Sequence, residues 1–258
     1  MDLGMQGRVA IVTGASRGIG LGIAQSLADE GCNLVICARG AEALEEAATG
    51  LRGAGVEVRT LAGDVTSDAG AKRAVELAES AFGGLQVVVS NVGGNRRGRF
   101  DQTTDEDWEA VLDANLRGHI RLARHAIPVM VSSGGGAITF TASIFGREGG
   151  GPGLSIYNST KSALISLSKI MSMELAEKNI RVNSIAPGSI RFPGGSWDKR
   201  CVEDPEGMAS FIAENLPFGR FGSVKEVADV VAFLSSPRAS WVSGACLNID
   251  GVQSKSLI

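Results

Sequence analysis

The stretch VAIVTGASRGIGLGIAQSLADEG, residues 9–31, decides the fold of this chain. Residues 9–12 are a short apolar run typical of a buried strand, and residues 22–31 have helical spacing with a terminal glycine. Between them stand Gly14, Gly18 and Gly20. A glycine turn that leads from a strand into a helix lets a pyrophosphate approach the free N–H groups of the helix N-terminus. The stretch therefore predicts the first unit of a dinucleotide-binding fold, with a plain glycine turn as the alternative.

Further apolar runs alternate with helical patterns along the rest of the chain. Strands are predicted at 33–38, 56–62, 86–90, 137–141, 180–186 and 245–249. Helices are predicted at 41–54, 67–82, 105–131 (as one or two helices), 155–178 and 224–235. Nearly continuous apolar strands that alternate with helices indicate a parallel sheet covered on both faces.

This alternation predicts an α/β protein: a single-domain Rossmann fold with a doubly wound parallel sheet of about seven strands. The pattern contains no long polar linker, repeat or low-complexity tract, so residues 1–258 are expected to form one domain. The exception is the segment 188–222, which is rich in Gly and Pro. We interpret it as an irregular substrate lid with a hinge near Gly194 and Gly195.

The composition excludes several classes of function. A net charge of −3 is atypical of a nucleic-acid-binding protein. The sequence has neither an apolar run of transmembrane length nor the pattern of a signal peptide, which favours a cytoplasmic protein without membrane association. The four cysteines have no CxxC spacing and are expected to be reduced. His119 and His125 are interpreted as polar helix positions, and no metal site is predicted.

Tyr157 is the only tyrosine of the chain and stands four residues before Lys161. Residues at this spacing share one face of a helix, so both side chains can point into one cleft. A phenol titrates near 10, and a neighbouring ammonium would lower that pKa and suit the phenol to proton transfer. The alternative is a core tyrosine followed by a solvated lysine.

The spacing G-x-x-x-G-x-G together with Tyr157-x-x-x-Lys161 resembles the short-chain dehydrogenase/reductase family over residues 7–251. The resemblance extends to members of the 3-oxoacyl-(acyl carrier protein) reductase type. It implies an NAD(P)-dependent enzyme that transfers hydride between C=O and CH–OH groups, and a homotetramer or dimer. It also implies a catalytic set in which Tyr157 is the acid or base and Ser143 holds the substrate oxygen. In this set Lys161 lowers the pKa of Tyr157 and binds the cofactor ribose, and Asn115 holds a water of a proton relay.

The same resemblance implies which residues contact the cofactor. They are Gly14, Ser16, Arg17, Gly18, Ile19, Gly20, Arg39, Asp64, Val65, Asn91, Gly93, Tyr157, Lys161, Pro187, Gly188 and Ile190. Residues 90–93 read SNVG where the family has NNAG, so Ser90 and Val92 depart from the pattern. Val92 replaces a small alanine and is expected to alter the floor of the nicotinamide pocket.

The end of the second predicted strand bears on the choice of cofactor. An acidic residue there would bind the ribose hydroxyls of NAD, but the strand ends with Ala38 followed by Arg39. Guanidinium groups suit phosphate, and Arg17 in the glycine turn is a second candidate. We therefore expect NADP(H) to be preferred, with NAD(H) possible and a merely solvated Arg39 as the alternative.

Substrate selection is expected to depend on residues 144–155 and 191–221. In the second segment Trp197, Met208 and Phe211 would form an apolar wall, unless Trp197 packs against a neighbouring subunit. Three arginines in NRRGR, Arg96, Arg97 and Arg99, would attract an anionic substrate or an acyl carrier protein, or belong to a solvated loop. The predicted function is reduction of a small-molecule ketone or 3-oxoacyl group. The alternatives are an NAD-dependent alcohol or sugar dehydrogenase and a catalytically silent dinucleotide sensor.

Overall fold

One parallel sheet organises the protein in a computed structural model that describes residues 2–257. Its strands are β1 (Val9–Thr13), β2 (Asn33–Ala38), β3 (Val58–Ala62), β4 (Val87–Ser90), β5 (Gly136–Thr141), β6 (Ile180–Pro187) and β7 (Cys246–Ile249). They pair in the order β3-β2-β1-β4-β5-β6-β7, all parallel. This arrangement confirms the predicted Rossmann fold with a doubly wound sheet.

Helices cover both faces of the sheet. They are α1 (Gly18–Asp29), α2 (Ala41–Arg52), α3 (Asp68–Phe82), α4 (Asp105–Leu112), α5 (Gly118–Ser132), α6 (Ser155–Glu174), α7 (Ser196–Glu203), α8 (Pro205–Asn215) and α9 (Val224–Ser235). Among residues 2–257, no helix is long and apolar enough to cross a membrane.

The segment 188–222 is not irregular, because it contains α7 and α8, and the prediction was wrong on this point. The overlooked signal is Asp204-Pro205. The Asp204 carboxylate accepts a hydrogen bond from the Gly207 N–H, and Pro205 occupies the first helical turn. An acidic cap followed by proline is a typical helix start.

Strand residues alternate between two hydrophobic cores, one on each face of the sheet. Ala10 and Val12 pack with residues of α1, α2 and α9, whereas Val9 and Ile11 pack with residues of α3, α5 and α6. Burial of each large aliphatic side chain contributes about 1.5–3 kcal/mol. Cys37 belongs to the second core, where burial raises the pKa of its thiol to about 12 and leaves it unreactive.

The strand order reverses at β1, which lies between β2 and β4. Such a switch point opens a crevice at the carboxyl ends of the two central strands, where α/β proteins bind ligands. Here Thr13 joins the two strand ends, because its hydroxyl oxygen accepts hydrogen bonds from the N–H groups of Asn91 (2.9 Å) and Val92 (3.3 Å). The candidate site is therefore built on a fixed junction of β1 and β4.

Candidate active site

The glycine turn after β1 has a backbone that other residues would not adopt. Gly14 and Gly18 have positive φ angles of 67° and 58°. A Cβ atom on Gly20 would overlap the Gly14 carbonyl oxygen and lie 2.7 Å from the Asn91 side-chain nitrogen. Arg17, the residue before α1, makes no side-chain capping bond, and the first turn of α1 has no acidic residue. The helix N-terminus thus presents N–H groups suited to an anion, and Ser16 and Ile19 lie half-buried in the same turn.

Two cations stand on the rim of this crevice. Arg17 and Arg39 are exposed, and neither side chain makes a hydrogen bond or ion pair with residues 2–257. The carboxylate of Asp64 is exposed beyond buried Val65, and the Thr66 hydroxyl holds the pKa of that carboxyl below its usual range. These groups are therefore accessible for binding the adenosine part of a dinucleotide.

Asn91 and Gly93 follow β4 and line the opposite side of the turn. The Asn91 side-chain amide donates to the Thr13 carbonyl oxygen at 3.3 Å. A Cβ atom on Gly93 would lie 3.2 Å from Asn115 Oδ1 and 3.4 Å from Lys161 Nζ. The glycine thus allows two buried polar groups to approach the segment after β4 closely.

Tyr157 lies in the first turn of α6, and Ser143 follows the end of β5. The Ser143 side chain is buried, accepts a hydrogen bond from the Phe145 N–H at 3.2 Å, and lies near the Tyr157 hydroxyl. Burial raises the pKa of Tyr157 above its usual value, and the nearby Ser143 hydroxyl opposes this shift in part. In the protein alone, the expected lowering of the Tyr157 pKa by Lys161 is therefore not found.

The geometry of Lys161 explains the difference. Its Nζ atom lies 5.8 Å from the centre of the Tyr157 ring and donates to the Thr141 carbonyl oxygen at 2.7 Å. The side chain is buried, and burial lowers the pKa of its ammonium to about 8. The group stays largely protonated at neutral pH, held between β5 and α6.

Asn115 lies in a π-helical turn, residues 113–117, that joins α4 to α5. Its amide is committed to the protein: Oδ1 accepts from the Gly94 N–H (2.8 Å), and Nδ2 donates to the Gly94 carbonyl (2.9 Å) and to the Thr160 hydroxyl (3.1 Å). The expected relay water would therefore have to use the remaining lone pair of Oδ1. The contacts instead show Asn115 fixing the segment after β4 against α6.

Pro187 ends β6, Gly188 begins the segment 188–222, and buried Ile190 forms an isolated bridge with Gly222. Phe192, which the sequence motifs do not single out, lies over the glycine turn. A Cβ atom on Gly18 would lie 2.6 Å from the Phe192 ring carbon Cζ. The available signal was an apolar residue inside a Gly- and Pro-rich segment.

Aromatic residues support the lid from within. Trp197 stacks on Phe211 with ring centres 4.8 Å apart, and Phe221 lies 5.2 Å from Trp197. The Arg200 guanidinium lies 5.0 Å above the Trp197 ring. Trp197 thus packs against Phe211 and Phe221 of its own chain and stays half-buried, and its place in an apolar wall remains a prediction.

His119 lies on α5, as its interpretation as a polar helix position requires, but its side chain is buried. Its Nδ1 atom pairs with the Ser90 hydroxyl at 2.7 Å, and its ring meets the edge of Phe140. Burial, and secondarily the charge of Lys161, lower the pKa of His119 to about 3. Ser90, a departure from the family pattern, therefore has a buried neutral histidine as its partner.

The arginines of the segment after β4 are mostly paired. Arg96 forms an ion pair with Asp107 at 2.8 Å, and Arg99 lies 3.8 Å from Asp101. Arg97 is exposed. The cluster therefore presents less free positive charge than its sequence suggests.

Comparisons with known proteins identify the family to which the chain is similar. A family model described as enoyl-(acyl carrier protein) reductase matches residues 14–251. Dehydrogenase/reductase SDR family member 4 of Caenorhabditis elegans is 35% identical over 95% of each chain. The 3-oxoacyl-(acyl carrier protein) reductase of Thermotoga maritima is 33% identical over 96% of this chain and 98% of its own. The crystal structure of L-sorbose reductase from Gluconobacter frateurii, complexed with NADPH and L-sorbose, is 38% identical over the whole of both chains, with a TM-score of 0.95.

Proposed function

We propose that this chain, which belongs to the short-chain dehydrogenase/reductase family, reduces a ketone to a secondary alcohol with NADPH as the hydride donor. Family membership makes it an NAD(P)-dependent oxidoreductase that acts on CH–OH or C=O groups. The observation that carries the finer proposal is the grouping of the Tyr157 and Ser143 side chains beside the buried ammonium of Lys161.

The chain's own residues account for the proton. NADPH, when bound, supplies the hydride. Because burial raises the pKa of Tyr157, its hydroxyl is protonated at neutral pH and is ready to give a proton to a carbonyl oxygen. Ser143, near that hydroxyl, would hold the same carbonyl oxygen by a hydrogen bond from its own side chain. Lys161 holds a positive charge nearby, and Asn115 fixes the floor of the site.

A preference for NADP(H) is supported by the rim of the crevice. Arg17 and Arg39 have free guanidinium groups, which suit the 2′-phosphate. Ala38 precedes Arg39 where a carboxylate would repel that phosphate. The residues fit the dinucleotide, because the cradle at Gly20 has no room for a Cβ atom and the N-terminus of α1 has no side-chain cap.

For the substrate, we favour a small polyhydroxy ketone of the sugar type over a chain carried by an acidic protein. The likeness to a reductase solved with L-sorbose supports this choice. The ion pairs of Arg96 and Arg99 also support it, because docking of an acidic partner would draw on unpaired positive charge.

The cofactor proposal is tested by titrating the protein with NADPH and NADH and following the fluorescence of its three tryptophans. We expect NADPH to bind at least about tenfold more tightly, and Arg39→Ala to weaken NADPH binding about tenfold, in keeping with loss of a charge-assisted bond. Binding of NADH should be unchanged in this variant. Equal affinities in the unaltered protein would contradict the assignment.

The reaction is tested with L-sorbose, simple ketones, an acetoacetyl thioester and an enoyl thioester, each with NADPH. We expect turnover of the ketones, and loss of roughly a hundredfold or more in Tyr157→Phe, because that change removes the acid. NADPH binding should survive in this variant. Turnover of thioesters alone would overturn the substrate class, and NADPH binding without any turnover would favour the sensor.

A further inference from the structure

The residues that follow β7 contact both segments on which substrate selection is expected to depend. We name residues 250–255 the C-terminal strap, residues 144–155 the first wall and residues 188–222 the second wall. The strap is bonded to each wall through a different side chain, and these bonds span 64 to 107 residues of sequence.

The second wall is held at its first residues. The Gln253 side-chain oxygen accepts a hydrogen bond from the Ser189 N–H at 2.7 Å. The Gly188 N–H donates to the Ile249 carbonyl at 3.1 Å, and a Cβ atom on Gly188 would lie 2.7 Å from the same Gln253 oxygen. The start of the second wall therefore lies tightly against the strap.

The first wall is held through Glu148. One carboxylate oxygen of Glu148 accepts hydrogen bonds from the Ser254 hydroxyl at 3.0 Å and from the Lys255 N–H at 2.8 Å. The backbone carbonyl of Glu148 accepts from the Asn158 side chain at 2.8 Å. Asn158 is the residue after Tyr157, so these contacts connect the strap to the helical turn that carries the tyrosine.

The strap keeps its shape through its own acidic residue. The Asp250 carboxylate accepts from the N–H groups of Val252 and Ser254, both at 3.0 Å. Val252 has a positive φ of 64°, which is unfavourable for a β-branched residue. A residue keeps such an unfavourable conformation only where surrounding contacts hold it there. The two hydrogen bonds to Asp250 are contacts of this kind.

We propose that Gln253 and Glu148 are positioning residues that set the separation of the two walls through the C-terminal strap, and thereby the affinity for the ketone. The inference rests on the proposed function, since it concerns the same cleft. Neither residue contacts the glycine turn or the catalytic side chains directly. Their effect should therefore appear in substrate affinity, with the proton-transfer step and cofactor binding left intact.

The kinetic test uses Gln253→Ala and Glu148→Ala with NADPH and a ketone that the unaltered enzyme reduces. We expect each variant to raise KM about tenfold, with kcat and the NADPH dissociation constant within twofold of the unaltered values. Because both residues act through one strap, the double variant should lose less than the product of the single losses. Strictly multiplicative losses would contradict the coupling.

Two control variants make the same substitutions, Gln to Ala and Glu to Ala, away from the C-terminal strap. Gln25→Ala removes an amide that bonds Asp29 on the same helix, and Glu177→Ala removes an exposed carboxylate. Both should leave KM unchanged. A lowered thermal midpoint with unchanged KM in the strap variants would assign them to stability alone and would overturn the proposal.

Hydrogen–deuterium exchange gives a second readout that does not require turnover. In Gln253→Ala, amides of the first wall should exchange at least about tenfold faster, although the hydrogen bond described for the Gln253 side chain goes to the second wall. Faster exchange confined to the neighbourhood of Ser189 would refute the coupling. If no ketone is reduced, the proposed function fails, yet this measurement still decides whether the strap joins the walls.

Discussion

The crevice beside the glycine turn and the region where the C-terminal strap meets the two walls are built from different kinds of contact. At the turn, backbone atoms and adjacent strand ends meet: Gly20 lies against the Gly14 carbonyl, and Thr13 accepts from the amides after β4. Between the walls, side chains bridge distant segments, as Glu148 does with Ser254. Backbone atoms at the turn cannot move away from an added side chain, whereas the side chains between the walls can change conformation. A single substitution in the turn should therefore reduce ligand affinity strongly, and a single substitution in the walls should reduce it only moderately.

The same substitution in the two regions tests this difference, and we expect it to have the largest effect of all. Gly20→Ala places a Cβ atom on the Gly14 carbonyl oxygen, so the turn must shift. Since a displacement of about 1 Å can cost about a hundredfold, we expect NADPH affinity to fall by at least that factor. Gly149→Ala in the first wall meets no atom within 4 Å and should leave affinity unchanged. Fluorescence titration measures both.

A third glycine, Gly50, controls for the general effect of replacing glycine by alanine in a helix. Gly50 lies in the exposed part of α2 with nothing within 4 Å of its Cβ position, so Gly50→Ala should stabilise the protein by about 0.5–1 kcal/mol. If Gly20→Ala bound NADPH as well as Gly50→Ala does, the rigid-turn argument would be wrong.

This difference between local and long-range contacts also explains which parts of the structure could be predicted from the sequence. The turn could be predicted because its signal is local: glycines between a strand and a helix leave few alternatives for the backbone. The sheet followed from strand periodicity, and β2 was predicted with the bounds observed. By contrast, the bonds of Gln253 and Glu148 depend on how loops after different strands meet, and no local pattern encodes such pairings.

Within the candidate site, the residues could be selected in advance but their electrostatics could not. Family resemblance directed attention to Tyr157, Ser143, Lys161 and Asn115. The direction of the Tyr157 pKa shift depends on burial and on where Lys161 points its ammonium, which are three-dimensional properties. The same holds for Phe192, whose packing on Gly18 becomes visible only when the second wall folds over the turn.

His119 is a buried titratable group next to the glycine turn, where it pairs with Ser90 at the end of β4. Its pKa is lowered to about 3, so the folded protein keeps it neutral while the unfolded chain protonates it near 6.5. Below pH 6.5 the unfolded chain therefore binds a proton that the folded protein excludes. The free energy of unfolding is unaffected by His119 above pH 6.5 and decreases as the pH falls toward 3. At pH 5 the loss should be roughly 2 kcal/mol, measured by urea unfolding at pH 7 and pH 5.

His119→Asn should remove this dependence, since the amide does not titrate. His125→Asn is the matched control: His125 is half-buried and pairs with exposed Asp68, so its loss should leave the dependence in place. An unaltered pH dependence in His119→Asn would show that another group is responsible.

Val252 gives the smallest effect and tests the adjustable region. Among residues 2–257, Asn179 and Val252 are the residues other than glycine that have a positive φ angle. Asparagine adopts this conformation readily, whereas valine does not. Val252→Gly should relieve strain of about 1–2 kcal/mol while adding backbone entropy to the unfolded chain, for a net gain of about 0.5–1 kcal/mol. A rise of about 2 °C in the thermal midpoint would record it. Because Asp250 and Gln253 still hold the strap, KM for the ketone should stay within twofold. A tenfold change in KM would mean that the Val252 side chain itself sets the distance between the walls.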